Sequence, residues 1–305
     1  MRNVFEEFHP IVTMIYFFEV LVYSMFLMHP ICLWISLGAA IAFGICLGRK
    51  MAVGFQLKFM IPMIIAVMLI NPAFNHRGMT ILTYLPSGNP LTLESIVYGA
   101  ASACLMASVI QWFACYTKVM TSDKFIYLFG KVLPSLSLVL SMCLRFVPRF
   151  YAQFHLVREA QRCIGKDISN GSFLKRMKNG VRIFSVMISW SMENAIETAD
   201  SMKGRGYGLP GRTAFSIYHF ERRDGVILGW ILFLGAYLLT GLLKGGLRFW
   251  YFPMMNGRWG DLYTVTLYIV YGLLCFLPVM AQLWGLVSGY ALEQKNKKDE
   301  KERLI

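Results

Sequence analysis

The chain has 305 residues, of which 56% are hydrophobic and 15% are charged. Soluble domains carry about 25% charged residues, so this composition favours a membrane protein over an ordinary soluble domain. The net charge of +13 does not predict nucleic-acid binding, because the cations lie between apolar runs and no zinc-finger or basic-zipper spacing occurs. The seven cysteines form no CxxC pair, so neither disulfides nor a metal site are predicted.

Six apolar runs approach or reach the length of about 20 residues that a helix needs to cross a bilayer. They cover residues 11–28, 31–48, 57–72, 94–115, 224–243 and 262–290. His29-Pro30 separates the first two runs, because proline cannot continue a helix without losing a hydrogen bond. This first pair forms either two crossings or one kinked or re-entrant unit. The predicted fold class is an all-α integral membrane protein with about six transmembrane helices.

Lysine and arginine predict the orientation of these helices. Residues 116–223, between the fourth and fifth runs, hold 17 of the 30 basic residues. With six crossings, 26 basic residues fall on one side of the membrane and 4 on the other. Because basic residues collect on the cytoplasmic side, both termini are expected in the cytoplasm. The predicted sections are N-terminal transmembrane helices, a long cytoplasmic helical region, C-terminal transmembrane helices and a charged cytoplasmic tail, over residues 1–115, 116–223, 224–292 and 293–305.

The basic region contains three predicted helical pieces. Val132 to Leu144 is apolar but too short to span, which indicates a membrane-surface or buried helix. A second piece follows Pro148 and ends near Gly165, and a third runs from about Ser172 to Lys203. Apolar residues recur at helical spacing in both: Phe150, Phe154, Val157 and Ile164 in the second, and Ile188, Met192, Ala195, Ala199 and Met202 in the third.

The third piece ends in Gly204-Arg205-Gly206. Because glycine stops helices at their C-terminal caps, Arg205 is predicted to lie on a tight helix end rather than on a helical wall. Two interpretations of Arg205 follow: it caps its own last carbonyls, or it binds a partner. An acidic stripe beside the apolar one is either solvated or paired with a neighbouring basic helix; it consists of Glu193, Glu197 and Asp200.

Several kinds of chemistry have no support in the sequence. There is no GxxxxGK[ST] loop for ATP, no HExxH zinc motif and no Ser-His-Asp arrangement above chance, so no catalytic residue, cofactor or metal is predicted. Glu19 is the one acid well inside an apolar run. An ionisable residue at that depth is a functional hypothesis. The alternative is an interhelical hydrogen bond or a position near the membrane interface.

The runs ADSMKGRGYG, residues 199–208, and REAQRCIGKD, residues 158–167, resemble the T component of energy-coupling factor (ECF) transporters, which is related to the cobalt-transport Q protein. Members carry two cytoplasmic coupling helices, and each ends in an Ala-Arg-Gly-type signature that docks into an ATPase subunit. The resemblance implies a second signature at Gly204, Arg205 and Gly206. The first signature departs from the family, with Ile164 before Gly165 where arginine is expected, and Arg162 or Lys166 would then supply the charge.

The resemblance implies a non-catalytic scaffold in the plasma membrane of a prokaryote. Its partners would be two ABC-type ATPases, a small substrate-capturing membrane subunit (the S component) and membrane lipid, but not nucleic acid. The importer would belong to the vitamin or metal-ion uptake class, with the solute chosen by another chain. Two other classes stay open: a self-contained secondary transporter, which predicts internal repeats, and an integral membrane enzyme, which predicts clustered ionisable residues.

Overall fold

The computed structural model describes residues 4–48, 51–84, 90–166, 168–169, 172–207, 209, 218–257 and 260–303. The last residues of the two quoted runs, Asp167 and Gly208, lie outside these ranges. The chain divides into two compact units. The first, called the anchor unit, joins Met1–Lys124 with Tyr218–Ile305, and the second, called the arm unit, is Phe125–Ile217.

The anchor unit is helical apart from two short antiparallel ribbons. Its helices are α1 (Val4–Glu7), α2 (Pro10–Phe26), α3 (Pro30–Leu47), α4 (Met51–Phe74), α5 (Leu93–Val119), α9 (Arg222–Leu243) and α10 (Leu262–Arg303). One ribbon pairs β1 (Ile81–Tyr84) with β2 (Pro90–Thr92), and the other pairs β3 (Phe249–Trp250) with β4 (Asn256–Gly257).

Local sequence signals account for the helix starts. Pro10 and Pro30 begin α2 and α3, where the missing amide hydrogen costs nothing. The Thr92 side chain accepts the Ser95 amide at 3.4 Å before α5. A capping box with Asp224 at its third helical position begins α9. The predicted break at His29-Pro30 is confirmed, since α2 ends at Phe26 and α3 starts at Pro30.

The core of the anchor unit lies where α5 contacts α2, α3 and α4, and where α10 contacts α3 and α9. Aromatic side chains from several helices fill it: Phe5, Tyr16, Phe17, Phe43, Trp112 and Tyr271 are each almost fully buried. Polar side chains also meet across the helices. Ser36 Oγ lies 2.9 Å from Ser24 Oγ and accepts the Trp112 indole N–H at 3.0 Å, and Ser24 Oγ lies 3.2 Å from the Tyr271 hydroxyl.

Each of the six predicted apolar runs falls on one helix of the anchor unit. Within the described ranges, four helices are long and apolar enough to cross a membrane: α3, α5, α9 and residues 262–284 of α10. The apolar part of α2 and residues 58–74 of α4 are shorter than 18 residues. The predicted all-α membrane fold is therefore confirmed.

The arm unit contains two long helices, α7 (Pro134–Cys163) and α8 (Phe173–Gly204), preceded by α6 (Ser122–Val132), which begins within the anchor unit. The predicted separation of the apolar piece Val132–Leu144 from the next helix is wrong. Residues 134–144 and the next predicted helix both belong to the 30-residue α7, with Pro148 inside it. Proline removes one backbone hydrogen bond, and the turns on either side keep enough of theirs for the helix to continue.

Candidate functional site

The C-terminus of α8 forms a glycine-based cap, called the second tip and made of residues 202–207. Arg205 is the cap residue, with φ −87° and ψ 8°, and Gly206 follows with φ +76°. The Gly206 amide donates to the carbonyl three residues earlier at 3.0 Å, and the next amide donates to the carbonyl five residues earlier at 3.1 Å. This pair of bonds defines a Schellman motif, which needs a left-handed residue that glycine adopts without strain.

The C-terminus of α7 forms the same cap, called the first tip and made of residues 161–166. Ile164 is the cap residue, with φ −87° and ψ 6°, and Gly165 follows with φ +74°. The Gly165 amide donates to the Arg162 carbonyl at 3.0 Å, and the Lys166 amide donates to the Gln161 carbonyl at 2.9 Å. The backbone at the two helix ends therefore matches residue for residue.

This match places Ile164 at the position that Arg205 occupies in the second tip. Both side chains are exposed, Ile164 at 64%. The prediction that Ile164 continues the apolar line of Phe154 and Val157 is wrong. Val157 is buried and Phe154 half-buried, but α7 ends at Cys163, so the turn carries Ile164 away from that line.

The backbone bonds bear on the first interpretation of Arg205, in which it caps the last carbonyls of its own helix. The carbonyls of Ser201, Met202 and Lys203 each accept a backbone amide from residues 205–207, at 3.0–3.1 Å. Because the last carbonyls already have donors, the cap does not require the Arg205 guanidinium. The geometry favours an arginine that is presented outward on a helix end.

The two tips lie at opposite ends of α8. The Arg176 side chain, in the first turn of α8, donates to the Ile168 carbonyl at 2.7 Å and ties that turn to the segment just after the first tip. The 32 residues of α8 then separate this segment from the second tip. At 1.5 Å per residue, the helix is about 48 Å long.

An aromatic pair and a cation–π contact join α7 to α8. The ring centroids of Phe150 and Trp190 lie 5.3 Å apart, and the Arg149 guanidinium lies 5.7 Å from the centre of the Trp190 ring. Ile183 and Asn194 are buried on the Trp190 side of α8. Sequence patterns did not single out this face, because Trp190 and Asn194 lie outside the predicted apolar stripe.

The predicted apolar stripe of α8 is mostly exposed rather than packed. Ile188 is 43% exposed and Met192 is 64% exposed. Further apolar residues extend this exposed stripe toward the start of α8, and its full set is Met177, Val181, Phe184, Ile188, Met192, Ala195, Ile196 and Ala199. Met202 is half-buried instead. A row of exposed apolar side chains this long is typical of a surface that contacts another protein or lipid.

Among the acidic residues near the second tip, only one ion pair is seen in the described part of the arm unit. Lys203 Nζ lies 4.0 Å from Asp200, within the same helix, and both side chains are highly exposed. Such a pair contributes little to stability. The acidic stripe is otherwise solvent-exposed, at Glu193 and Glu197.

Glu19 lies in α2 and faces α9. A Cβ placed on Gly235 would lie 2.5 Å from Glu19 Oε2, so the absence of a side chain on Gly235 makes room for the carboxyl group. Glu19 Oε2 is buried and has no hydrogen-bond partner among the described residues, so the predicted interhelical hydrogen bond is not made by this atom. The neighbouring Tyr23 hydroxyl donates to the Gly235 carbonyl at 2.7 Å. No group of three or more His, Cys, Asp and Glu side chains among the described residues could hold a metal ion.

Sequence comparisons identify relatives of the chain, although no protein-family model matches it. It is 26% identical over 257 residues to the energy-coupling factor transporter transmembrane protein EcfT of Bacillus selenitireducens, covering 80% of this chain and 95% of that protein. Shorter matches to EcfT of Lactobacillus helveticus (34%) and of Lacticaseibacillus paracasei (38%) each cover 35% of this chain, and 38% and 39% of those proteins. The resemblance to the ECF T component is therefore confirmed.

Proposed function

We propose that this relative of the ECF transporter transmembrane proteins is the non-catalytic coupling subunit of an ATP-driven importer. The observation that carries the proposal is the pair of matching caps at the ends of α7 and α8. A protein that holds two ATPase subunits needs two contact points, and the two tips supply a matching backbone conformation with an exposed residue at each cap position.

Arg205 is the proposed contact with one ATPase. Its guanidinium can form two parallel hydrogen bonds with a carboxylate, which makes arginine suited to a narrow acidic groove. The glycines on either side carry no side chain that would keep the groove walls away. The first tip is the proposed contact with the other ATPase, through Ile164 and Gly165 with Arg162 beside them.

The exposed stripe of α8 is the proposed contact for the substrate-capturing S component. A small membrane protein presents an apolar outer surface, and this stripe offers about 33 Å of apolar side chains between Met177 and Ala199 along the helix axis. Methionines such as Met177 and Met192 are flexible, which suits a surface that must release its partner and bind it again.

The proposed orientation puts the arm unit in the cytoplasm, where the ATPases bind. It rests on the excess of lysine and arginine in residues 116–223, which follows the positive-inside rule. The proposed location is the plasma membrane of a prokaryote, with both termini cytoplasmic. The ATPases supply the energy, in keeping with the lack of an ATP-binding loop in this sequence. Vitamins or metal ions are the proposed class of transported solute.

The test is copurification of the ATPases with this chain from its native membrane in a mild detergent. Arg205→Ala is expected to lower the recovery of one ATPase at least about tenfold, because a charge-assisted bidentate pair is lost. Arg205→Lys should give an intermediate loss, since lysine keeps the charge without the planar fork.

Arg182→Ala is the matched control, because Arg182 is exposed on α8 and lies about 35 Å along the helix axis from Arg205. The amount of ATPase that copurifies with this variant should stay within about twofold of the amount recovered with the unmodified chain. Full recovery of ATPase with Arg205→Ala would overturn the proposed role of Arg205. Arg162→Ala tests the first tip in the same way, and an unaffected complex would exclude Arg162 from docking.

A further inference from the structure

The two tips have the same backbone conformation, but the cationic and apolar side chains stand in the opposite order along the chain. At the cap position the first tip has apolar Ile164, while the second has the cation Arg205. Two residues later the order reverses, with the cation Lys166 in the first tip and the aromatic Tyr207 in the second. The cationic and apolar groups therefore occupy opposite positions on matching scaffolds.

We infer that the tips dock into grooves of opposite chemistry, each on its own ATPase subunit. This inference rests on the proposed function. The groove for the first tip has an apolar pocket facing Ile164 and a carboxylate facing Lys166. The groove for the second tip has carboxylates facing Arg205 and an apolar patch facing Tyr207. Each groove then accepts one tip only, and the two ATPase chains differ.

The reason is the cost of a mismatched groove. If a groove built for Arg205 received the first tip, its carboxylates would be covered by Ile164 and left without a cation. An ionised group that is removed from water and unpaired is strongly unfavourable. Placing Arg205 in an apolar pocket carries the same penalty. We expect each mismatch to weaken docking by about 100-fold or more.

The chain offers a matched pair of positions for a labelling test. Cys163 is the last helical residue of the first tip and is exposed. Gly204 is the equivalent residue of the second tip, and a Cβ there would meet nothing within 4 Å, so G204C is sterically allowed. A C143A background removes the other exposed cysteine.

A benzophenone maleimide is attached either to Cys163, or to the thiol of G204C in a chain that also carries C163A. The tagged complex, purified from its native membrane, is then irradiated, and the cross-linked ATPase is identified by its GxxxxGK[ST] peptide. We expect one ATPase chain from the first tip and a different one from the second. The same chain from both tips, or an ATPase adduct at the second tip alone, would overturn the inference while leaving the proposed function in place.

Absence of any ATPase adduct, from a complex that retains its ATPases, would exclude both tips as docking points and overturn the inference. Absence of ATPases from the complex of the unmodified chain would instead overturn the proposed function. A second variant tests the chemistry directly by exchanging the four side chains: I164R, K166Y, R205I and Y207K. Ile164 and Tyr207 are 64% and 42% exposed, so the exchange leaves the buried packing intact. The two adducts are expected to trade places between the tips. An unchanged pattern would show that these side chains do not select the ATPase.

Discussion

At the residue scale, the two glycines around Arg205 have different tasks. Gly204 has a helical conformation with open space where a side chain would be, whereas Gly206 adopts φ +76° and a Cβ there would lie 3.1 Å from the Leu209 side chain. Only Gly206 is therefore required by the backbone. Gly204 can be replaced by alanine, the residue that the family signature has at this position.

The first prediction contrasts these glycines. Gly206→Ala should destabilise the cap by about 1–2 kcal/mol, the cost of a left-handed conformation for a residue with a Cβ. Gly204→Ala should stabilise the last turn by roughly 0.5–1 kcal/mol. Hydrogen exchange of the backbone amides at positions 206 and 207 measures the stability of the cap in each variant. Faster exchange than in the unmodified chain is expected for Gly206→Ala, and equal or slower exchange for Gly204→Ala. Equal exchange rates in the two variants would contradict the cap assignment.

The second prediction concerns Glu19 and the space beside it. Gly235→Ala should loosen α2 from α9, because the new methyl group would lie about 2.5 Å from the Glu19 carboxyl group. We expect a loss of about 1–3 kcal/mol in detergent unfolding. Glu19→Gln keeps the shape and should leave transport unchanged. A loss of transport with Glu19→Gln at normal stability would instead make Glu19 a proton or ion site.

At the scale of the element, α8 has two faces with separate functions. Trp190, Ile183 and Asn194 lie on the face that is buried, while the exposed stripe lies on another side of the helix. Substitutions at adjacent positions of the sequence can therefore test different interactions. The first face makes contacts between α7 and α8, and partner binding is proposed for the second.

The third prediction uses the neighbours Ile183 and Phe184, which are 1% and 66% exposed. Ile183→Ala should destabilise the protein by about 2–4 kcal/mol, through lost burial and a cavity. Phe184→Glu should leave stability within about 0.5 kcal/mol but lower recovery of the S component at least about tenfold. Thermal unfolding in detergent and copurification give the two readouts. Retention of the S component by Phe184→Glu would exclude this stripe as its contact.

At the scale of the whole molecule, the two units are built on different principles. The core of the anchor unit combines buried aromatic rings with hydrogen bonds between helices. The arm unit leaves long apolar rows uncovered and ends both of its long helices in matching caps.

The fourth prediction tests the anchor unit through Ser36, which bonds with Ser24 and Trp112. Ser36→Ala removes both bonds, and we expect a loss of about 1–2 kcal/mol, since hydrogen bonds between membrane helices contribute about 0.6 kcal/mol each on average and up to 1.7. Thr117→Ala is the control, because the Thr117 hydroxyl bonds only within its own helix, to the Ala114 carbonyl at 3.0 Å. Equal stability of the two variants would show that the serine bonds do not support the core.

The sequence was a good guide to the helix ends and a poor guide to what covers the helix sides. Gly165 and Gly206 mark caps because a left-handed residue is a local requirement that glycine meets. Which face of α8 is buried depends on tertiary packing, and the more apolar face proved to be the exposed one. The bonds of Ser36 could not be foreseen either, since single serines in apolar runs do not indicate their partners.

The length of α8 has a mechanical consequence. An α-helix resists stretching because every turn is held by hydrogen bonds, so its two ends keep a nearly constant separation of about 48 Å. In the proposed function, an ATPase movement that carried one tip sideways by about 5 Å would turn the helix as a rod by about 6°. A partner bound along the exposed stripe, as proposed for the S component, would tilt with the helix, so a small displacement at one helix end would become a rotation of that partner.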